Sequence, residues 1–166
     1  MIGISGGTQA ILSYNYGARC VNRVKDAERN ILRVMLIFTT IMFLLSRFIP
    51  RYFVLLFTTD PQYIRFSVWV IRTYTLMIIP LSFQYVFVDG LTALECPKTG
   101  LALSVTRKSL FVISAAVLPS FSGAKAAFFA EPVADGISSV LSTIVFLLLI
   151  NRHLDKRCRM DKKESL

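Results

Sequence analysis

Residues 126–150 read AAFFAEPVADGISSVLSTIVFLLLI, and this stretch decides the fold class of the chain. It is mostly apolar and exceeds the roughly 20 residues that an α-helix needs to cross the hydrocarbon core of a membrane. The stretch is too long for a soluble strand, and it lacks the alternation of apolar and polar residues that is typical of outer-membrane barrels. It therefore predicts a transmembrane helix.

Three further stretches of this kind precede it, at residues 31–48, 66–90 and 101–121. A shorter stretch at residues 2–17 is richer in Gly and Ser, and as a helix it would cover only about 22–24 Å. We expect it to be the later part of a spanning helix. The predicted fold class is all-α: a polytopic membrane helix bundle with four full transmembrane helices and one truncated at the N-terminus.

The composition agrees with a membrane protein. Of 166 residues, 54% are hydrophobic and only 17% are charged, whereas a soluble domain is nearer 25% charged. A disordered chain is also excluded, because it would need low hydrophobicity. The net charge of +9 would suggest a nucleic-acid partner in a soluble protein, but in a membrane protein it marks cytoplasmic loops. No nucleic-acid partner is expected.

Lys and Arg residues are distributed unevenly between alternate loops. Fourteen fall on one side and four on the other, with Arg72 left inside a span. Because cytoplasmic loops carry the excess of positive charge, the C-terminus is predicted to be cytoplasmic, where the basic tail can contact membrane lipid. The predicted organisation is a truncated transmembrane helix at 1–18, a basic cytoplasmic loop at 19–30, four transmembrane helices at 31–150 and a basic cytoplasmic tail at 151–166.

Motifs of soluble enzymes are missing from the sequence. There is no Gly-rich phosphate loop, no Cys pair at zinc spacing and no nucleophile elbow, and the one histidine, His153, lies in the basic tail. We expect no enzyme activity, no bound metal and no organic cofactor.

Ionisable residues inside spans are costly and mark either an ion pathway or a buried pair. Glu131 and Asp135 are four residues apart, so their carboxyl groups share one helix face. Two interpretations remain open. The carboxylates could bind a coupling H⁺ or Na⁺, or they could pair with Arg107 or Lys108 on the neighbouring helix.

Four other residues are candidates for a transport pathway or its movement. Arg72 lies within the second span, and Gln84 could form a hydrogen bond across the bundle. Asp89 is either an interfacial residue or a polar group that lines a central cavity. Pro80 lies at the centre of its span, where a missing backbone hydrogen bond would bend the helix and could provide a hinge.

Residues 7–18, GTQAILSYNYGA, followed by a basic segment with Arg23, resemble the multidrug and toxic compound extrusion (MATE) family in its bacterial multidrug-pump branch. Later features follow in the same order, namely FTTDP at 57–61, Arg72 and Tyr74, Phe83 and Gln84, Ala93 and Leu94, Lys98, Arg107, and AEP at 130–132 with Asp135. The chain departs from the family pattern at Ala10, at Glu131 and at Glu95-Cys96.

The resemblance implies a protein of twelve helices in two lobes around a central cavity, which exports organic, often cationic, drug-like compounds in exchange for H⁺ or Na⁺. It also implies that the chain corresponds to the C-terminal lobe, that the missing N-terminal lobe is its partner, and that both lie in the bacterial cytoplasmic membrane. A lipid-linked-precursor flippase of the same superfamily and an inactive membrane fragment are the alternatives.

Overall fold

The fold of the chain consists of helices. A computed structural model describes the backbone of residues 1–18 and 21–164 and the side chains of residues 1, 3–4, 6–18, 22–121 and 123–150. The elements in chain order are α1 (Ile2–Gly17), α2 (Val21–Phe48), α3 (Pro50–Leu55), α4 (Pro61–Tyr74), α5 (Ile78–Ala93), α6 (Pro97–Ser122), a 3₁₀ segment (Ala124–Phe129) and α7 (Ala130–Glu164). The described residues contain no strand, so the all-α prediction is confirmed.

Three segments are long and apolar enough to cross a membrane: Asn22–Phe48, Pro97–Phe121 and Ala124–Ile150. A fourth candidate is the pair α4 and α5, whose axes differ by 44° across a short break. These segments confirm the polytopic membrane bundle. The 16 residues of α1 are too few to cross a bilayer alone, and its truncation stays a prediction.

Helix α2 begins earlier than the sequence pattern predicted. We expected a loop at residues 19–30, but residues 21–30 are helical, while residues 19 and 20 lie outside the described part of the chain. The buried residues Val24, Ile31 and Met35 recur at helical spacing, so one packed face continues through the basic segment. Its basic side chains are exposed on the opposite side. The predicted tail is likewise not separate from the last span, since α7 continues to Glu164.

The second span is broken rather than continuous. Asp60 caps α4, since its carboxylate accepts a 2.8 Å hydrogen bond from the backbone N–H of Gln62. The helix ends at Tyr74, and α5 starts at Ile78. Pro80 lies in the first turn of α5, where it cannot donate a hydrogen bond to the preceding turn. We expected a bend at Pro80 itself, but the break precedes the proline by one turn.

Helix α5 is the centre of the bundle, in contact with α1, α2, α6 and α7. Phe87 of α5 stacks on Phe146 of α7 with ring centroids 4.4 Å apart. Buried serines, including Ser82 of α5 and Ser142 of α7, keep the helices close, as small residues do in membrane bundles. The polar residues of α5 and α7 are therefore held against each other and against α6.

Candidate functional site

Arg107 of α6 joins two carboxylates of α7. Its Nε donates to Asp135 Oδ1 over 2.7 Å, and its Nη2 donates to Glu131 Oε1 over 3.0 Å. The exposed fractions of the Arg107, Glu131 and Asp135 side chains are 12%, 23% and 4%. We call these three residues the Arg107 triad. Of the two interpretations left open, pairing is the arrangement observed, with Arg107 as the partner.

The spacing on α7 explains this geometry. Glu131 lies in the first turn of α7, where a negative charge is favoured by the helix dipole. Asp135 follows one turn later on the same face, so one guanidinium reaches both groups. Two carboxylates so close would repel each other, and the intervening cation compensates that repulsion. If both carboxylates are ionised, the triad keeps one net negative charge.

Gln84 of α5 connects to the same face of α7 through a second polar contact. Ser138 Oγ donates to Gln84 Oε1 over 2.5 Å, and both residues are buried. Ser138 follows Asp135 by three residues, which places the two on one side of the helix. The sequence pattern indicates Gln84 but did not single out Ser138, although the three-residue spacing of Ser138 from Asp135 was a usable signal.

A cavity of about 220 Å³ opens beside Arg107. Its lining combines cationic, hydroxyl, amide and aromatic groups and consists of Gln84, Tyr85, Val88, Ser104, Arg107 and Lys108. The Arg107 guanidinium carbon lies 5.7 Å from the centre of the Tyr85 ring, within the range of a cation–π contact. The cavity is therefore lined by α5 and α6 and lies next to Arg107, the cation that the α7 carboxylates bind. Tyr85 and Ser104 are added to the candidate site because they line the same cavity.

Three predicted site residues lie elsewhere. Arg72 is exposed at the end of α4, where its Nη2 donates to the Arg47 carbonyl oxygen over 2.9 Å. Asp89 is half-buried near the C-terminal end of α5. Pro80 borders a different, largely apolar cavity of about 370 Å³ between α5 and α7.

A buried carboxyl group that the sequence pattern did not indicate lies beside Asp89. Glu28 of α2 is 6% exposed, and its Oε1 has no hydrogen-bond partner in the described part of the chain. The group occupies the space that a side chain at Gly90 would fill, since a Cβ there would lie 2.6 Å from Glu28 Oε1. Glu28 follows Val24 by four residues on the packed face of α2. That spacing was a usable signal, but the segment had been predicted to be a loop.

Metal ligands do not cluster in the described residues, where no group of three or more His, Cys, Asp or Glu side chains could hold an ion. The candidate site is built of hydrogen-bonding and charged side chains.

Comparison with known proteins identifies the family. The MatE family model matches residues 1–118. The FAD transporter of Shewanella oneidensis is 26% identical over 134 residues, which are 80% of this chain and 30% of that protein. The chain thus spans about a third of the length of this relative. The family match covers well over half of the chain, and the helices are those of a multi-pass membrane protein. The chain therefore belongs to the MatE family.

Proposed function

We propose that this chain forms the C-terminal lobe of a secondary antiporter that exports organic, often cationic, compounds in exchange for H⁺ or Na⁺. The observation that best supports this proposal is the Arg107 triad, in which a cation in a cavity wall forms ion pairs with two carboxylates of a neighbouring helix. The second lobe would complete the substrate cavity. The bacterial cytoplasmic membrane, with the C-terminus inside, is part of the same proposal.

Competition for the carboxylates would couple the two fluxes. A proton or Na⁺ that binds Asp135 or Glu131 weakens the hold on Arg107, whereas an organic cation needs at least one carboxylate free. Because both ligands use the same negative charges, occupancy by one disfavours the other. A ligand shifts a conformational equilibrium only by its differential affinity for the two states. The triad supports such a difference because it links α6 to α7.

The break between α4 and α5 supports movement of the lobe. Residues 75–77 separate two helical axes that differ by 44°, and discontinuous helices are common near the moving parts of transporters. Pro80 stays the proposed hinge residue because it has no backbone N–H to donate across the break toward α4, so it disfavours one continuous helix through residues 75–77. Rocking of one lobe against the other would then alternate access to the cavity.

The test is gradient-driven transport by the chain completed with a MatE first lobe and reconstituted in vesicles. Uptake of a cationic dye is measured under an imposed pH or Na⁺ gradient. Asp135→Asn and Glu131→Gln should each lower the gradient-driven rate by about tenfold, within the range of ordinary coupling energies. Asp26→Asn, an exposed acid on α2, is the matched control. Wild-type rates and unchanged ion dependence in both variants would contradict the proposed coupling.

A second candidate substrate is an anionic dinucleotide, favoured by the composition of the cavity wall. Arg107 and Lys108 offer positive charge beside the Tyr85 ring, which suits a pyrophosphate attached to an aromatic ring system. The FAD transporter among the relatives makes FAD the natural probe. If FAD competes with the dye for transport and Lys108→Ala abolishes that competition, the anionic substrate is favoured over the cationic one.

A further inference from the structure

A groove between α3 and α4 lies apart from the Arg107 triad. It has a volume of about 600 Å³. Its lining is half apolar and half polar, and consists of Arg51, Leu55, Thr59, Pro61, Ile64, Arg65, Val68 and Arg72. Three arginines thus face one cavity that has no acidic residue in its lining.

The sequence explains why these groups converge. Arg65 and Arg72 are seven residues apart on α4, two helical turns, so they share a face. Val68 lies between them on that face, and Arg51 approaches from α3. The groove therefore presents cations along a partly apolar floor.

The positive charges in this groove outnumber the negative charges near it. Between Glu28 and Asp89 the only acidic residue is Asp60, whose single charge can compensate at most one of the three arginines and whose carboxylate accepts a hydrogen bond from the Gln62 backbone amide. The ion pairs found among the described residues belong to Arg107. Arg72 does donate to a backbone carbonyl, but a neutral acceptor leaves its positive charge uncompensated.

The surroundings of the groove are apolar. Tyr52, Phe53, Leu56 and Phe57 are 69%, 57%, 80% and 77% exposed around α3. Exposed aromatic residues beside arginines are typical of the boundary between membrane and water. A ligand in the groove would therefore have exposed apolar side chains on one side and cations on the other.

We propose that the α3–α4 groove binds the phosphate group of an anionic phospholipid. The guanidinium groups of Arg51, Arg65 and Arg72 contact the phosphate oxygens, for which arginine has a matched bidentate geometry. An acyl chain lies along Leu55, Ile64 and Val68. This site is separate from the substrate site proposed above, so each can fail without the other.

The test is binding of fluorescent phosphatidylglycerol to the purified full chain in neutral detergent. Unlabelled phosphatidylglycerol should displace the probe at least about tenfold more effectively than zwitterionic phosphatidylcholine or inorganic phosphate, as expected for charge-assisted hydrogen bonds combined with apolar contact. Equal displacement by phosphatidylcholine would overturn the charge recognition, and equal displacement by inorganic phosphate would overturn the lipid assignment.

Variants locate the site. Arg65→Ala should weaken phosphatidylglycerol binding by about tenfold, and Arg65→Lys should weaken it less, because a lysine keeps the charge but not the planar fork. Arg33→Ala is the matched control, because Arg33 is an exposed arginine of α2 whose side chain contacts Asn30. Unchanged affinity in Arg65→Ala, or an equal loss in Arg33→Ala, would contradict the site. The lipid preference of the unaltered chain decides the proposal even if Arg65→Ala fails to fold.

Discussion

Two carboxyl groups are buried to almost the same extent but have opposite surroundings. Counted over the whole residue, Asp135 is 3% exposed and Glu28 is 6% exposed. Asp135 accepts a 2.7 Å hydrogen bond from Arg107. Glu28 lies against the backbone of Gly90, and its Oε1 has no hydrogen-bond partner among the described residues.

This difference separates a candidate coupling site from a packing contact. A buried ion is costly unless it is paired, and Asp135 has its pair on another helix. The charged neighbour of Glu28 on α5 is Asp89, a second acid. A coupling ion can compete with Arg107 at Asp135, whereas Glu28 Oε1 has no hydrogen-bond partner among the described residues that such an ion could displace. We therefore propose the triad as the coupling site and Glu28 as a helix-packing contact.

The largest expected effect comes from removal of the shared cation. Arg107→Met leaves Asp135 buried and unpaired beside Glu131, and breaking a buried pair in this way costs about 3–5 kcal/mol. Denaturant unfolding in detergent, followed by circular dichroism, measures the loss. Adding Asp135→Asn and Glu131→Gln should recover most of it. A single-variant loss under about 1 kcal/mol would mean that the triad contributes little to the fold.

A smaller effect is expected at the polar contact between α5 and α7. Ser138→Ala removes the hydroxyl that donates to Gln84 and leaves a buried amide oxygen unsatisfied, which costs about 1–3 kcal/mol. Ser120→Ala, at an exposed serine of α6, is the control for loss of a hydroxyl. Equal unfolding free energies for the two variants would show that the Gln84 contact is dispensable.

The packing of Glu28 on Gly90 predicts an effect of about 1 kcal/mol. Gly90→Ala places a Cβ 2.6 Å from Glu28 Oε1, and overpacking at a helix contact costs about 1–3 kcal/mol. The lower end applies because the clashing atom ends a flexible side chain. In a Glu28→Ala background the same substitution should cost nothing and should even stabilise α5, because alanine is favoured over glycine inside a helix. Equal costs in both backgrounds would refute this contact.

The smallest effect is expected for Glu28→Gln. This change keeps the shape of the side chain and removes only its ability to ionise, so the unfolding free energy should change by less than about 1 kcal/mol. The same measurement on Asp135→Asn should show a larger loss, because Arg107 then lacks one anionic partner. A larger loss for Glu28→Gln than for Asp135→Asn would reverse the comparison.

The spans were predictable from the sequence because a run of about twenty apolar residues is typical of a helix that crosses a membrane. The sequence also brought Glu131 and Asp135 onto one face and indicated Arg107 as a possible partner, since helical periodicity and neighbouring spans suffice for that. It favoured Arg107 over Lys108, whose long side chain can snorkel to the membrane boundary. It could not show that one guanidinium reaches both carboxylates, because this depends on how α6 is rotated against α7.

Glu28 and the break before Pro80 show a second limit of prediction from the sequence. The charge run at residues 19–30 hid the continued packed face of α2, since apolar content alone placed the helix start at residue 31. The proline indicated a bend but not its position along the helix, which depends on the hydrogen bonds of the preceding turn. The α3–α4 groove could not be predicted from the sequence, because it is formed by the packing of the short helix α3 against α4.

The most direct test of the assignment of coupling to the triad is one rate ratio, measured in the protein completed with its first lobe. Gradient-driven dye transport is compared between Asp135→Asn and Glu28→Gln in matched vesicles. If the Arg107 triad is the coupling site, Asp135→Asn loses about tenfold in rate while Glu28→Gln keeps the wild-type rate. Loss of transport in Glu28→Gln together with a wild-type rate in Asp135→Asn would contradict this assignment.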